Sequence, residues 1–391
     1  MTLKLPIYLD HHATTPLDPR VLEAMMPYLT TDFGNASSAT HAYGWKAEAA
    51  VELARKQVAA LIGSKDPKEV IWTSGTTESD NLALIGVARA DTSKGHHIIT
   101  CVTEHRSVLD TARYLEGHGG RVTYLSVDAD GLVNPDDVRK AIAKDTILIS
   151  IMAANNEIGV IQPIGEIGRI AKEAGILFHV DAAQACGKIP MDVEAMGIDL
   201  LAMSAHKVYG PKGAGALYVR ERNPKVRLEP LFHGGGQERG LRPGTLAVPN
   251  IVGMGKAFEI AGGEMEDEAE RLFKLRQRLH EGLMKALSGR GGVTPPLLNG
   301  HATKRLPGNL SLSFLGVRSD ALIPQIRDVA LSSGSACASL ETAEPSYVIR
   351  ALGGDSERAL SSIRFGIGRF NTEEEIDFTI QKVAVAVQSL R

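Results

Sequence analysis

Between residues 69 and 207 the chain alternates short apolar runs with longer stretches of helical periodicity. The runs Glu69–Thr73, His97–Val102, Arg121–Leu125, Thr146–Ile151 and Ile176–Asp181 read as strands, and a sixth opens at Leu200 and ends in Ser204, His206 and Lys207. Between them, helices are predicted for Asn81–Arg89 behind the turn Ser74–Ser79, and for Ser107–Glu116, Pro135–Ile142 and Gly165–Glu173. Upstream lie a short strand, Ile7–Asp10, and helical segments at Leu17–Thr31 and Ala47–Ile62, the latter apolar at Val51, Ala54, Val58 and Leu61. Strands alternating with helices imply a mainly parallel sheet covered on both faces. Such sheets take ligands in the crevice beyond their carboxyl ends.

After about residue 258 the rhythm changes. Gly262–Ser288 reads as a long charged amphipathic helix bridging two domains. Asn309–Phe314, Val329–Ser332 and Ile363–Ile367 have strand character, while Asp320–Arg327 and Thr372–Leu390 are helical. The expectation is an α/β chain with a large domain at 17–258 and a smaller α+β domain made of 1–16 and 259–391.

The 391 residues suffice for two domains, and 43% hydrophobic with 23% charged residues is ordinary for a globular protein. A formal net charge of −3 gives no general attraction to nucleic acid or anionic lipid. No apolar run is long enough to cross a membrane, and the opening Met1–Asp10 turns polar too soon for a signal peptide. Three cysteines, an odd number, argue against a disulfide framework. A cytoplasmic protein with reduced thiols is expected.

Candidate chemistry gathers at the predicted strand ends. Lys207 stands where an apolar strand surfaces, so partial desolvation should lower its pKa and free an amine for carbonyl chemistry. Alone, it would equally suit a snorkelling lysine. Asp181 ends another apolar strand; it suits a helix N-cap or a carboxylate that keeps a pyridine nitrogen protonated. Gly75-Thr76-Thr77 is a strand-to-helix turn able to hold a phosphate on backbone N–H groups, or simply a cap. His105, just past a strand end, could stack on a cofactor ring and move protons, or be an ordinary loop histidine. Lysine, carboxylate and cradle together define a pyridoxal phosphate site. Cys337, in Ser332–Ser339, has small neighbours and should be an accessible, mobile nucleophile, whereas Cys101 and Cys186 sit in apolar surroundings as packing residues. The pair His11-His12 lacks further ligands at metal spacing and reads as a polar loop.

These residues and their neighbours resemble the cysteine desulfurases, fold-type I pyridoxal phosphate enzymes of the IscS/NifS class. The resemblance runs from Tyr8–Pro16 through Thr73–Ser79, Thr103–His105, Asn155–Gly159 and His179–Gln184. It continues through Ser204–Gly213, His233–Gly240, Arg242–Thr245, Ser332–Cys337 and Glu344–Tyr347. It implies Lys207 as the Schiff-base lysine, Asp181 on the ring nitrogen, Gln184 on the phenolic oxygen and His105 stacked over the ring. Thr77, Ser204, His206 and the Thr76 backbone would hold the phosphate, joined by Thr245 from the other subunit of a homodimer with shared active sites. Asn35, Asn156 and Arg364 would bind L-cysteine, Asn156 also bordering the cofactor, and Cys337 would carry the persulfide. The implied reaction yields L-alanine and passes sulfur to an acceptor or scaffold protein, for iron–sulfur cluster assembly or thio-modification. Some members dock that scaffold with a C-terminal tail longer than the one ending here at Arg391. An aminotransferase or selenocysteine lyase on the same scaffold, which needs no mobile cysteine, is the alternative enzyme; a non-catalytic sulfur relay is the alternative of another class.

Overall fold

The structure is a computed structural model that describes residues 3–91, 93, 95–288, 294–333 and 345–391. The chain opens with β1 (Ile7–Tyr8), α1 (Pro19–Thr30) and α2 (Ala42–Leu61). An alternation follows: β2 (Val70–Thr73), α3 (Thr76–Ala90), β3 (His97–Cys101), α4 (Arg106–Glu116), β4 (Arg121–Leu125) and α5 (Pro135–Ala141). It continues with β5 (Thr146–Ser150), α6 (Ile164–Ala174), β6 (Leu177–Asp181), β7 (Leu200–Ser204) and β8 (Gly215–Val219). Helix α7 (Val248–Leu287) leads to β9 (Leu297–Leu298), β10 (Asn309–Ser313), α8 (Ser319–Leu322), β11 (Val329–Ala330) and β12 (Ser332–Ser333). The chain closes with α9 (Tyr347–Ala351), α10 (Ser356–Leu360), β13 (Ser362–Gly366) and α11 (Glu373–Leu390).

Strands β2 to β8 form one seven-stranded sheet in the order β2-β8-β7-β6-β5-β3-β4. Its strands from β4 across to β7 are mutually parallel, and β8 runs antiparallel to both neighbours. One apolar layer against it holds Val58, Trp72, Phe178, Met203 and Phe258; another holds Leu82, Val108, Leu148 and Leu217. Covering both faces explains why these strands read as unbroken apolar runs. A separate core, with Leu9, Leu279, Leu310, Phe365 and Val383, surrounds the four-stranded sheet β12-β13-β10-β9. Among the described residues, no helix is long and apolar enough to cross a membrane.

Several elements depart from the pattern-based expectation. Strand β8 was not anticipated, because Gly215-Ala216 dilutes its apolar signal. Helix α7 begins at Val248 rather than Gly262 and runs unbroken past residue 258. Glycines mask that first third, since each costs about 1 kcal/mol of helix propensity. They are there for packing: a Cβ on Gly255 would lie 2.6 Å from the Ala54 Cα of α2, and one on Gly253 2.6 Å from the Met25 Sδ of α1. The run Val329–Ser332 is two strands, β11 pairing with β1 and β12 with β13, so the chain changes sheets at Leu331. His11 and His12 do lie in a turn, but a buried one. They are 4% and 3% exposed and held from within, His11 Nδ1 on the Gly366 carbonyl at 2.9 Å.

Candidate active site

Strand register assembles the anion cradle. Thr73, last in β2, and Ser204, last in β7, both lie opposite Gly215 of the intervening β8. A side chain at Gly215 would put its Cβ 2.4 Å from the Gly75 Cα, so only glycine lets the turn before α3 settle there. A Cβ on Gly75 would in turn lie 3.9 Å from the Ser204 Oγ. No side chain caps α3 among the described residues, and the Thr76 Oγ1 is buried without a partner. Unclaimed N–H groups at a helix N-terminus, an orphaned hydroxyl and Ser204 fit a phosphate group. Thr77, in the first turn, is exposed.

Lys207 ends a short 3-10 turn, Ala205–Lys207, immediately after β7. Its Nζ donates to the carbonyls of His12 and Ala13, each at 2.7 Å. Burial, aided by the positive Arg364, brings its pKa down to about 8. Asp181, 5% exposed at the end of neighbouring β6, accepts from the Ala183 N–H at 2.9 Å. Burial, with Asp80 nearby, pushes this carboxyl well above the usual range. A protonated ring nitrogen would supply the missing counter-charge. The residues present therefore fit pyridoxal phosphate: an activated amine, an uncompensated carboxyl and an anion cradle at one end of one sheet.

Among the other expected residues, Gln184 shares the His12 carbonyl with Lys207, and Arg364 is near enough to act on the Lys207 charge. Gln184 accepts from Lys188 Nζ and meets His12 Nδ1, both at 3.0 Å, while its amide donates to the His12 carbonyl at 2.9 Å. His206 meets the Thr14 hydroxyl at 3.1 Å, and burial lowers its pKa to about 4, keeping it neutral. His105 caps α4, accepting from the Ser107 N–H, and leaves its ring exposed. Arg364, 1% exposed on β13, donates to the Asn156 carbonyl at 2.9 Å and to Asp10 at 2.8 Å. Its Nε and the Asn156 Oδ1 are buried without partners, which leaves polar atoms free for a substrate. Asn35 is exposed and accepts from the Ser37 N–H at 2.9 Å. Thr245 is exposed just beyond Arg242, whose guanidinium pairs with Glu78 in the first turn of α3 at 2.8 Å. Cys337 lies outside the described residues. Cys101 and Cys186 are buried, which pushes each thiol up to about 12.

Sequence reasoning missed Asp10, His12, Lys188, Asp80 and Ser107. Of these only Asp10 carried a signal, an acidic residue closing an apolar strand; the others surface as partners only through contacts distant in sequence. Among the described residues no three His, Cys, Asp or Glu side chains gather to hold a metal ion.

A parallel sheet with an amine, a buried carboxyl and an anion cradle at its carboxyl ends defines a pyridoxal phosphate-dependent enzyme. The aminotransferase class-V family model matches residues 7–378, and the chain belongs to that family. Within it the chain falls with the cysteine desulfurases. It is 57% identical over 389 residues to "Cysteine desulfurase IscS" of Anaeromyxobacter sp. (strain K), covering 100% of this chain and 94% of that one. A solved NifS-like protein superposes with a TM-score of 0.90 at 39% identity, covering 98% of this chain and 100% of its own. The structure of SspA in complex with cysteine gives 0.82 at 38% identity, covering 94% of this chain and 100% of its own.

Proposed function

We propose that this protein converts L-cysteine to L-alanine and moves the sulfur to Cys337 as a persulfide. The observation that carries the reading is Lys207, an amine brought down to about 8 by burial beside the α3 cradle and Asp181. Pyridoxal phosphate, when bound, supplies the electron sink for charge developing at the substrate Cα. Thr76, Thr77, Ser204 and His206 would hold its phosphate, Gln184 would face its phenolic oxygen and Asp181 would keep a proton on its ring nitrogen. Lys207 would anchor it, and its Nζ would take the substrate Cα proton. Arg364, Asn156 and Asn35 orient the substrate, with Arg364 on its carboxylate. Cys337, as thiolate, would bond through Sγ to the substrate sulfur as the Cβ–S bond breaks, the bond pair staying on Cβ, which takes up a proton to become the alanine methyl, and His105 would move protons there.

The exposed apolar side chains Leu22, Met26, Leu29, Phe33, Tyr43 and Trp45 on and between α1 and α2 support a homodimer, in which Thr245 would complete the partner's phosphate site. The proposed setting is the cytoplasm, with a protein acceptor serving iron–sulfur cluster assembly or thio-modification. The division into 17–258 and 1–16 plus 259–391 is part of the same proposal; separate apolar clusters around the two larger sheets support it, and the cluster of Ile158 and Val160 with Val348 and Ile349 bridges the two parts. Alanine formation from labelled L-cysteine tests the reading. Lys207→Ala should abolish turnover, and Cys337→Ser should bind cysteine yet form no persulfide. Full sulfide release by Cys337→Ser would overturn the assignment of the sulfur carrier.

A further inference from the structure

Behind His105 a chain of polar groups leads away from the cofactor site into the protein. His105 Nδ1 lies 2.8 Å from the Ser107 Oγ, and that Oγ lies 2.5 Å from the Asp80 Oδ2. Asp80, on α3, is 0% exposed. Its other oxygen, Oδ1, stands 3.4 Å from the His179 Nε2 of β6, and His179 Nδ1 meets the Ser150 hydroxyl at 2.9 Å. A structural cap for α4 needs only His105 and the Ser107 N–H; it does not need a carboxyl buried behind the serine.

Counting hydrogens decides what this chain holds at rest. The Ser107 N–H donates to His105 Nδ1 at 3.2 Å, so Nδ1 presents a lone pair and the imidazole proton is on Nε2. The Ser107 hydroxyl has one hydrogen. If it pointed to Asp80, two lone pairs would face each other between Ser107 Oγ and His105 Nδ1. The consistent arrangement has Asp80 as a neutral acid donating to Ser107, and Ser107 donating to Nδ1. Burial favours the same state, pushing the Asp80 carboxyl up to about 8. The titratable groups around Asp80 are His105 and Glu104 at the start of α4, and His179 and Asp181 on β6. Neither acidic neighbour favours its ionisation.

We propose that Asp80, acting through Ser107, is a positioning residue that sets the tautomer of His105 and stores the proton His105 spends. When the Nε2–H bond breaks and its proton passes to a substrate atom, the Ser107 hydroxyl proton moves to Nδ1. The Asp80 proton then replaces it on Ser107 Oγ. His105 stays neutral, Asp80 becomes a carboxylate, and one proton has left the enzyme. Proton capture at Nε2 runs the same steps backward and restores the acid. His179 gives the ionised state a polar neighbour: its Nε2 lies 3.4 Å from the Asp80 Oδ1, and neither atom has another hydrogen-bond partner among the described residues.

The inference rests on His105 facing the substrate, so its test needs readouts that do not depend on turnover. In holoenzyme labelled at aspartate Cγ and histidine nitrogens, the carboxyl signal that Asp80→Asn removes should titrate far above the ordinary carboxylate range. His105 should show the Nε2–H tautomer, lost in Ser107→Ala. Asp80→Asn retains a donor to Ser107 but cannot release a proton. It should keep the tautomer, the visible cofactor band and KM, while kcat falls about ten- to a hundredfold and the pH profile of kcat changes. An Asp80 signal titrating near pH 4, or an Nδ1–H tautomer in the unmodified enzyme, overturns the relay. If instead His105→Gln retains full activity, the reading of His105 fails while the measured Asp80–His105 coupling stands.

Discussion

The depressed pKa of Lys207 has a direct consequence for how the apoprotein captures amine-reactive groups. With a value of about 8, about one amine in ten is neutral at pH 7; at an ordinary lysine value of about 10.4 the fraction is roughly one in 2,500. Lys207 should therefore be acylated by a trace of reagent some two orders of magnitude faster than a lysine of ordinary pKa at neutral pH, discounting for steric access. Competitive labelling followed by peptide mass spectrometry across a pH series measures the midpoint for each lysine. The Lys207 curve should turn over near pH 8. Burial is the larger cause and Arg364 the next, so Arg364→Gln should raise the midpoint by on the order of one unit without restoring the ordinary value. Freeing Asp10 from its pair with Arg364 adds to the rise, because that carboxylate also favours the charged amine. A midpoint near pH 10 in the unmodified protein would refute the argument that burial activates this amine.

Three further outcomes follow from other parts of the fold. Gly215→Ala should weaken pyridoxal phosphate binding at least about tenfold by equilibrium dialysis, because its Cβ would meet the Gly75 Cα at 2.4 Å and displace the cradle; unchanged affinity would remove that turn from the phosphate site. Asp18, 1% exposed, is held well below the usual carboxylate range by Arg20 and Arg369, so its stabilisation is present above about pH 4 and is lost as pH falls through the lower folded value. Asp18→Ala should cost about 3 kcal/mol in urea unfolding at neutral pH, with the difference shrinking in acid. Of the three cysteines only Cys337 should react promptly with a disulfide reagent in the folded protein, since burial pushes Cys101 and Cys186 up to about 12; rapid titration of all three thiols would contradict that.

Much of the parallel sheet and the principal site residues could be read from local pattern, because both depend on short-range periodicity. An apolar run that stops at a carboxylate or a lysine already marks a strand end, and strand ends of such a sheet lie on one side. Asp181, Lys207 and the Gly75 turn were visible for that reason. The glycines of α7 hid the first third of that helix, since their purpose is contact with Ala54 and Met25 on other elements. His11 and His12 looked like loop residues because nothing nearby in sequence covers them; Gly366 and Gln184 do so from far along the chain.

The order of residues by itself determined most of the parallel strands and the helices between them, which side chains sit at their ends, and hence the class of chemistry. Only the tertiary structure decided how those ends face one another. Gly215 between Thr73 and Ser204, Asp10 clamped on Arg364, and Asp80 behind Ser107 are pairings across long sequence separations. The physical reason is that helical and strand periods record only which face of an element is dry. Register, close backbone approach and the burial that shifts a pKa are set by neighbours brought in from elsewhere in the chain.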